Sequence, residues 1–268
     1  QKNSIRLLES IRESQKQVFG DTVKCSERVP HRFIDIGEDV SVCQIISHSN
    51  IDTTKSPAFG GNLALNHVLD DFIAIGATPL AFCEMLRLGD YETPKTQRSI
   101  QKLMEGISRY TNVYGVPMAV GDLYFHQSFN RSVCANLGVI GVVSNKNLSK
   151  PKQKPPMDSP LLCVGYRTPA IQRDETGHVK VVKLADPFMQ HRLRAAISEA
   201  ISKGYIIDVA PMAHGGIVRA GCLIANRIQT GVQLFVDKIP IETRQMDPLD
   251  ILVNESSGRF LLLTVPEH

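Results

Sequence analysis

Residues 34–50, IDIGEDVSVCQIISHSN, set two β-branched runs on either side of a Gly37-Glu38-Asp39 turn. With Arg32 and Phe33 in front, they read as a β-hairpin over residues 32–36 and 40–46. After Gly61 the apolar period changes to that of a helix: Leu65, Val68, Leu69, Phe72 and Ile73 share one face, and Gly76 stops it. Asn66 and Asp70 are expected on the opposite, polar side, with Asp71 at its border. A second helix begins at Thr96 and turns Ile100, Leu103, Met104 and Ile107 inward. Val116-Pro117 leads into a strand ending near Gly121-Asp122, and residues 133–143 form another. Strand and helix alternate around hairpins, which predicts an α+β domain.

From residue 145 to 159 the composition shifts to NKNLSKPKQKPPMDS, with four lysines and three prolines. No aromatic residue interleaves the lysines, so a solvated linker is favoured over a nucleic-acid contact. The predicted organisation is a domain over residues 1–150, a linker over 151–159 and a second α+β domain over 160–268. In the second domain, residues 161–166 read as a strand. Asp186-Pro187 caps a helix whose buried stripe is Met189, Leu193, Ala196, Ile197 and Ala200, closed by Gly204. A helix start at Gly215-Gly216, a strand over 231–236, a helix from Asp247-Pro248 and a strand over 260–265 follow.

The chain has 268 residues, 43% of them apolar, enough to bury a substantial core. Thirty basic and 27 acidic side chains leave a net charge of +3, too small for a nucleic-acid or membrane footprint. Six cysteines are scattered without a CxxC pair or zinc-like histidine spacing, which points to a reduced, intracellular protein of the cytoplasm, or of an organelle if a targeting segment has been removed. No apolar run is long enough for a membrane helix, Gln1-Lys2-Asn3 opens no signal peptide, and the lack of an initiating Met is read as loss of upstream sequence.

Five phrases carry a resemblance over nearly the whole chain. They are the hairpin with Phe59-Gly60-Gly61 and residues 70–80 (DDFIAIGATPL), residues 114–125 (YGVPMAVGDLYF), residues 185–189 (ADPFM), residues 237–240 (DKIP), and Asn254-Glu255-Ser256 before Arg259. In number, order and spacing they resemble the first half of the small-type phosphoribosylformylglycinamidine synthases, of the aminoimidazole-ribonucleotide-synthetase superfamily. The resemblance implies an N-terminal domain that lends strands to a shared barrel with helices outside, a C-terminal α+β domain covering it, and pairing with a second copy or a second synthetase-like half. A thiamine-phosphate or selenophosphate kinase is a weaker match, because those have Asp-rich loops before the first helix where this chain has only Asp52.

The family's ligase chemistry phosphorylates a formamide oxygen with ATP and displaces it with ammonia, so it needs Mg²⁺ and donors for phosphate. The family segment Lys-x-Glu-Ser-His-Asn-His falls here on Ile45 to Ile51, which loses the Lys and the Glu. A shift of one residue puts His48 on the catalytic position, with Ile46 replacing the metal-binding Glu. The Arg-Asp pair becomes Asp70-Asp71: Asp71 keeps the metal carboxylate, while Asp70 would repel a substrate phosphate. Lys183 replaces a substrate-contacting Gln, and Pro211-Met212-Ala213-His214 replaces the metal motif Asp-Met-Gly-Ala. Ser257 replaces the Gln of Glu-Ser-Gln.

The surviving candidates are therefore His48 for catalysis, and Asn50, Gly60, Gly61, Gly215, Gly216, Glu255 and Ser256 for nucleotide or substrate. Asp71 and Asp122 are the candidates for metal. Each has a plainer reading: a solvated helix face for Asp71, a turn for Asp122, turns for the glycine pairs, structural roles for His48 and His214, and a strand edge for Glu255. Two functions follow: a catalytically degenerate module binding or scaffolding within an assembly, or the active ATP- and Mg²⁺-dependent synthetase portion.

Overall fold

A computed structural model describes residues 23–25, 32–49, 56–148, 155–156, 158–173, 179–181 and 186–265, with isolated positions ahead of residue 21. Strands β1 (Val23–Cys25), β2 (Arg32–Gly37) and β3 (Val40–Ser49) begin a mixed sheet. The β2–β3 hairpin turns through Glu38 and Asp39, both at positive φ (52° and 61°), and the Gly37 amide donates to Asp35 Oδ1 at 3.0 Å. Helix α1 (Pro57–Ala74), strand β4 (Thr78–Leu88), helix α2 (Pro94–Tyr114), strand β5 (Met118–Phe125) and strand β6 (Cys134–Ser144) complete the first unit. The order across the sheet is β1-β2-β3-β6-β4-β5, antiparallel except for β4 beside β5. It is an open sheet, not a closed barrel.

One face of the sheet is covered by α1 and α2. Phe33, Ile45, Phe82, Leu86, Leu137 and Val139 pack there against Leu65, Leu69, Phe72 and Leu103. The helices touch because glycine permits it: a Cβ on Gly106 would lie 2.4 Å from the Ala58 carbonyl oxygen. The opposite face leaves Ile34, Ile36, Ile46 and Val120 exposed.

A short turn of helix, α3 (Asn145–Leu148), ends the first unit. Beyond it come β7 (Leu161–Gly165), β8 (Gln172–Arg173), β9 (Val179–Val181), α4 (Pro187–Ser202), β10 (Ile206–Pro211), α5 (Gly216–Ile228), α6 (Pro248–Leu252) and β11 (Arg259–Thr264). Strands β10-β11-β7 form an antiparallel sheet, and β8 pairs with β9. Asp186 and Asp247 cap α4 and α6, their carboxylates accepting the amides of Met189 and Leu249. Arg227 of α5 reaches the buried Asp208 of β10 at 3.2 Å and fastens that helix to the sheet.

Four expectations are corrected. Residues 231–235 are irregular, because Val232 and Leu234 spend their apolar alternation against α5 at Gly221 rather than in a ladder. In α4, Met189 and Ala196 are exposed and Gln190 is buried instead. Asp122 sits inside β5, not in a turn. Asn66 and Asp70 do not face water, because α1 is buried a second time: Ile73 and Ala74 join Ile197, Val209, Phe260 and Leu262 in a cluster that fuses the two units. Strands β4 and β10 had no assignment from sequence.

Candidate functional site

The chemistry-bearing side chains gather where the second unit docks on α1. Helical spacing puts Asn62, Asn66 and Asp70 in one line and His67 and Asp71 in the next. Asp70 is fully buried, accepting Gln190 Nε2 on Oδ1 at 2.7 Å and the Gly258 amide on Oδ2 at 3.1 Å. Burial pushes its carboxyl up to about 7, against the pull of those two hydrogen bonds. Beside it, Asn62 Oδ1, Asn66 Oδ1 and Gln190 Oε1 are buried acceptors without a hydrogen-bond partner among the described residues. The anion expected to confront a substrate phosphate is instead covered by Gln190 and Gly258.

The neighbouring line opens on the loop between β10 and α5. His67 and His214 bring their rings to 4.2 Å, tilted by 60°. Burial, and then the neighbouring His214, push His67 down to about 4, while Asp71 pulls the other way. His67 is therefore a neutral imidazole at pH 7. Next along that loop the Gly215 amide donates to Glu255 Oε1 at 2.9 Å. Asp71 thus lies within electrostatic reach of His67 on one side of the histidine pair, and Glu255 holds the Gly215 amide next to His214 on the other.

Ser256 lies deeper: its Oγ accepts Arg259 Nη1 at 2.9 Å, and Arg259 Nη2 donates to Thr168 Oγ1 at 2.6 Å. Burial brings the Arg259 guanidinium down to about 10, so it remains a cation, held by hydroxyls.

The remaining candidates stand elsewhere. Gly60 and Gly61 are not a helix start, because α1 begins at Pro57; the Gly60 amide already donates to Ser56 O at 2.9 Å, and Gly61 packs on Leu103. Gly216, at φ +61°, is required by packing, since a Cβ would lie 2.4 Å from Leu252 O. His48 and Asp122 project from the open face of the six-stranded sheet. His48 Nδ1 lies 2.8 Å from Asn136 Oδ1, and Asp122 pairs with Arg87 at 2.7 Å. Asn50, Asp52 and Lys183 lie outside the described residues.

Sequence reading missed His67, Gln190 and Arg259 as members of the junction. The available signal was the polar line at 62, 66 and 70, spaced by four on a helix whose only other polar side chains are His67 and Asp71.

An open mixed sheet backed by two helices, one of them shared with a second α+β unit, defines the class of architecture. The family model for the AIR synthase related protein N-terminal domain matches residues 34–143, and that for the C-terminal domain matches residues 165–268. The chain belongs to the AIR synthase related protein family. It is 26% identical over 242 residues to the phosphoribosylformylglycinamidine synthase subunit PurL of Carboxydothermus hydrogenoformans, covering 86% of this chain and 33% of that protein. With the Deinococcus radiodurans subunit it shares 28% over 248 residues, 87% of this chain and 33% of that one. The chain spans about a third of the length of these curated relatives. Among solved structures, Thermotoga maritima PurL complexed with ATP superposes with a TM-score of 0.75 at 24% identity, covering 94% of this chain and 40% of that one. The thiamine monophosphate kinase of Aquifex aeolicus shares the fold at a TM-score of 0.61 and 12% identity, covering 96% and 87% of the two chains.

Proposed function

We propose that this chain is a PurL-like domain of purine biosynthesis whose ligase site has degenerated, and that it acts inside the cell as a binding or scaffold module within a larger assembly. The observation that carries the reading is the junction at Asp71. Mg²⁺ prefers a shell of oxygen donors, whereas Asp71 lies within electrostatic reach of the His67 imidazole, whose ring packs on His214, and the adjacent Asp70 is buried and covered by Gln190 and Gly258. Glu255 already accepts the Gly215 amide, and Pro211 offers no side-chain ligand. The Gly60 amide that a phosphate would need is bonded within the helix. These groups do not fit Mg²⁺-triphosphate.

The assembly part rests on the open sheet face, whose exposed Ile34, Ile36, Ile46 and Val120 suit pairing with a second copy or a second synthetase-like half. A structure of PurLQS from Thermotoga maritima supports subunit association within the family. The active alternative, an ATP- and Mg²⁺-dependent portion converting formylglycinamide ribonucleotide to formylglycinamidine ribonucleotide, draws on Asp71 being retained at the junction.

Thermal unfolding with ATP or ADP, with and without Mg²⁺, separates the two. A ligand that binds only the folded form at about 100 times its dissociation constant adds roughly 2.7 kcal/mol. The degenerate reading expects no Mg²⁺-dependent shift at millimolar nucleotide. A shift that disappears in Asp71→Asn, or ammonia-dependent ADP release above a mock preparation, would establish the active alternative.

A further inference from the structure

Between α1 and α4 lies a group of buried oxygens that the described residues leave unsatisfied. Asn62, Asn66 and Asp70 follow one another at successive turns of α1, and Gln190 of α4 closes over them. Asn66, Asp70 and Gln190 are fully buried. Backbone carbonyls set which way two of the amides face. Gln190 Nε2 donates to Asn66 O at 3.2 Å as well as to Asp70 Oδ1, and Asn66 Nδ2 donates to Asn62 O at 3.4 Å. A carbonyl only accepts, so each nitrogen must face its carbonyl and each amide oxygen is turned elsewhere. Asn62 Oδ1, Asn66 Oδ1 and Gln190 Oε1 are then buried acceptors without a donor among the described residues. Asp70 adds a carboxylate, and the charged side chain that bears on it among those residues is a second carboxylate, Asp71. The group is rich in acceptors and lacks a counter-charge, which is costly for a buried anion. One water brings two hydrogens, so it can serve two of the three amide oxygens and leaves the charge as it was.

We propose that the side-chain oxygens of Asn62, Asn66, Asp70 and Gln190 bind a monovalent metal cation, K⁺ or Na⁺, between α1 and α4. Neutral carbonyl oxygens replace the hydration shell of such an ion, and the single Asp70 carboxylate balances its single charge. A divalent ion fits less well: Mg²⁺ demands a near-octahedral shell and keeps several waters. Asn62 is half-buried, which gives the line one end near solvent. The resemblance puts an Arg at position 70, so a cation site built on Asp70 belongs to this chain rather than to its relatives. The ion ties α4 to α1, and with it the second unit to the first. Nothing in this arrangement depends on whether the ligase site at Asp71 survives.

The test is thermal unfolding of the whole chain, without nucleotide, in KCl, NaCl or tetramethylammonium chloride. Ionic strength is held at about 150 mM and the pH at about 8.5, so that screening is the same in each salt. The unfolding midpoint is expected to rise by about 3 °C or more in the better-bound alkali ion over tetramethylammonium, which is too large for the site, and to saturate with concentration. The comparison of KCl with NaCl identifies the ion. Asp70→Asn should melt at one temperature in all three salts, and Asn66→Ala should raise the concentration at half effect. In tetramethylammonium Asp70→Asn should be the more stable chain, and its lead should narrow in the alkali salt. Crystals grown with Rb⁺ in place of K⁺ supply a measurement that needs no variant to fold, with an anomalous peak expected among the four side chains. Equal midpoints of the unmutated chain in all three salts would overturn the proposal. So would a rise that persists in folded Asp70→Asn, or Rb⁺ crystals without a peak between α1 and α4.

Discussion

At the scale of single residues, Asp70 and His67 stand one helical register apart at the domain junction and titrate against each other. The Asp70 carboxyl rises from an ordinary 3.8 to about 7 on folding. Its stabilising contribution is therefore complete below about pH 4 and is lost as pH rises through about 7. His67 falls from 6.5 to about 4, so its contribution is complete above pH 6.5 and is lost as pH falls through about 4. Between those limits the two slopes oppose, and the stability of the chain should vary less with pH than either group alone would dictate. Asp70→Asn removes one slope while keeping an oxygen that can still accept Gln190 Nε2 or the Gly258 amide. The expected result is a gain on the order of 1–3 kcal/mol at pH 8, with a steeper loss of stability below about pH 6.5. A series of unfolding midpoints from about pH 4.5 to 8.5 checks both parts. A variant less stable than the parent at pH 8 would show that the carboxylate is retained there as a hydrogen-bonded anion.

At the scale of elements, the decisive contacts are backbone approaches that only glycine allows. Gly216→Ala places a methyl group against Leu252 O at a positive φ, and should cost roughly 2–4 kcal/mol. Gly231→Ala, with nothing within 4 Å and an ordinary φ, should change the unfolding midpoint little. Denaturant titration of the two variants side by side makes the comparison. Such contacts also mark what a sequence can reveal. The hairpin, α1, α2 and the capped starts of α4 and α6 were legible, because alternation, helical period, Pro and Asp N-caps are local signals. The central strand β4 was not: apolar residues occupy its exposed Leu80 and half-buried Met85 as well as its buried positions, so the sequence shows no apolar–polar alternation. Residues 231–236 alternate like a strand but are used against a helix. Of the residues placed at the junction, the resemblance points to Asp71 and Glu255. His67 and Gln190 were not legible, because their neighbours come from more than a hundred residues away.

At the scale of the whole molecule, the first sheet keeps one face and two edges without a neighbour among the described residues. Under the proposed pairing, Ile46→Glu and Val120→Lys, both on exposed strand positions, should shift the protein toward monomer in sedimentation velocity without lowering the unfolding midpoint. An association constant unaffected by both substitutions would move the interface elsewhere. Within the chain the position is reversed, because α1 belongs to two hydrophobic cores at once. Leu65, Leu69 and Phe72 face the first sheet, while Ile73 and Ala74 face Val209 and Phe260 of the second unit. A helix so placed cannot be assigned to either partner, so the pieces on the two sides of residues 149–159 are not separable parts. A single proteolytic cut in that segment should leave the fragments held together and melting as one cooperative transition. Expression of residues 1–150 alone should yield a species that exposes the Asp70 and Ile73 side of α1 and aggregates.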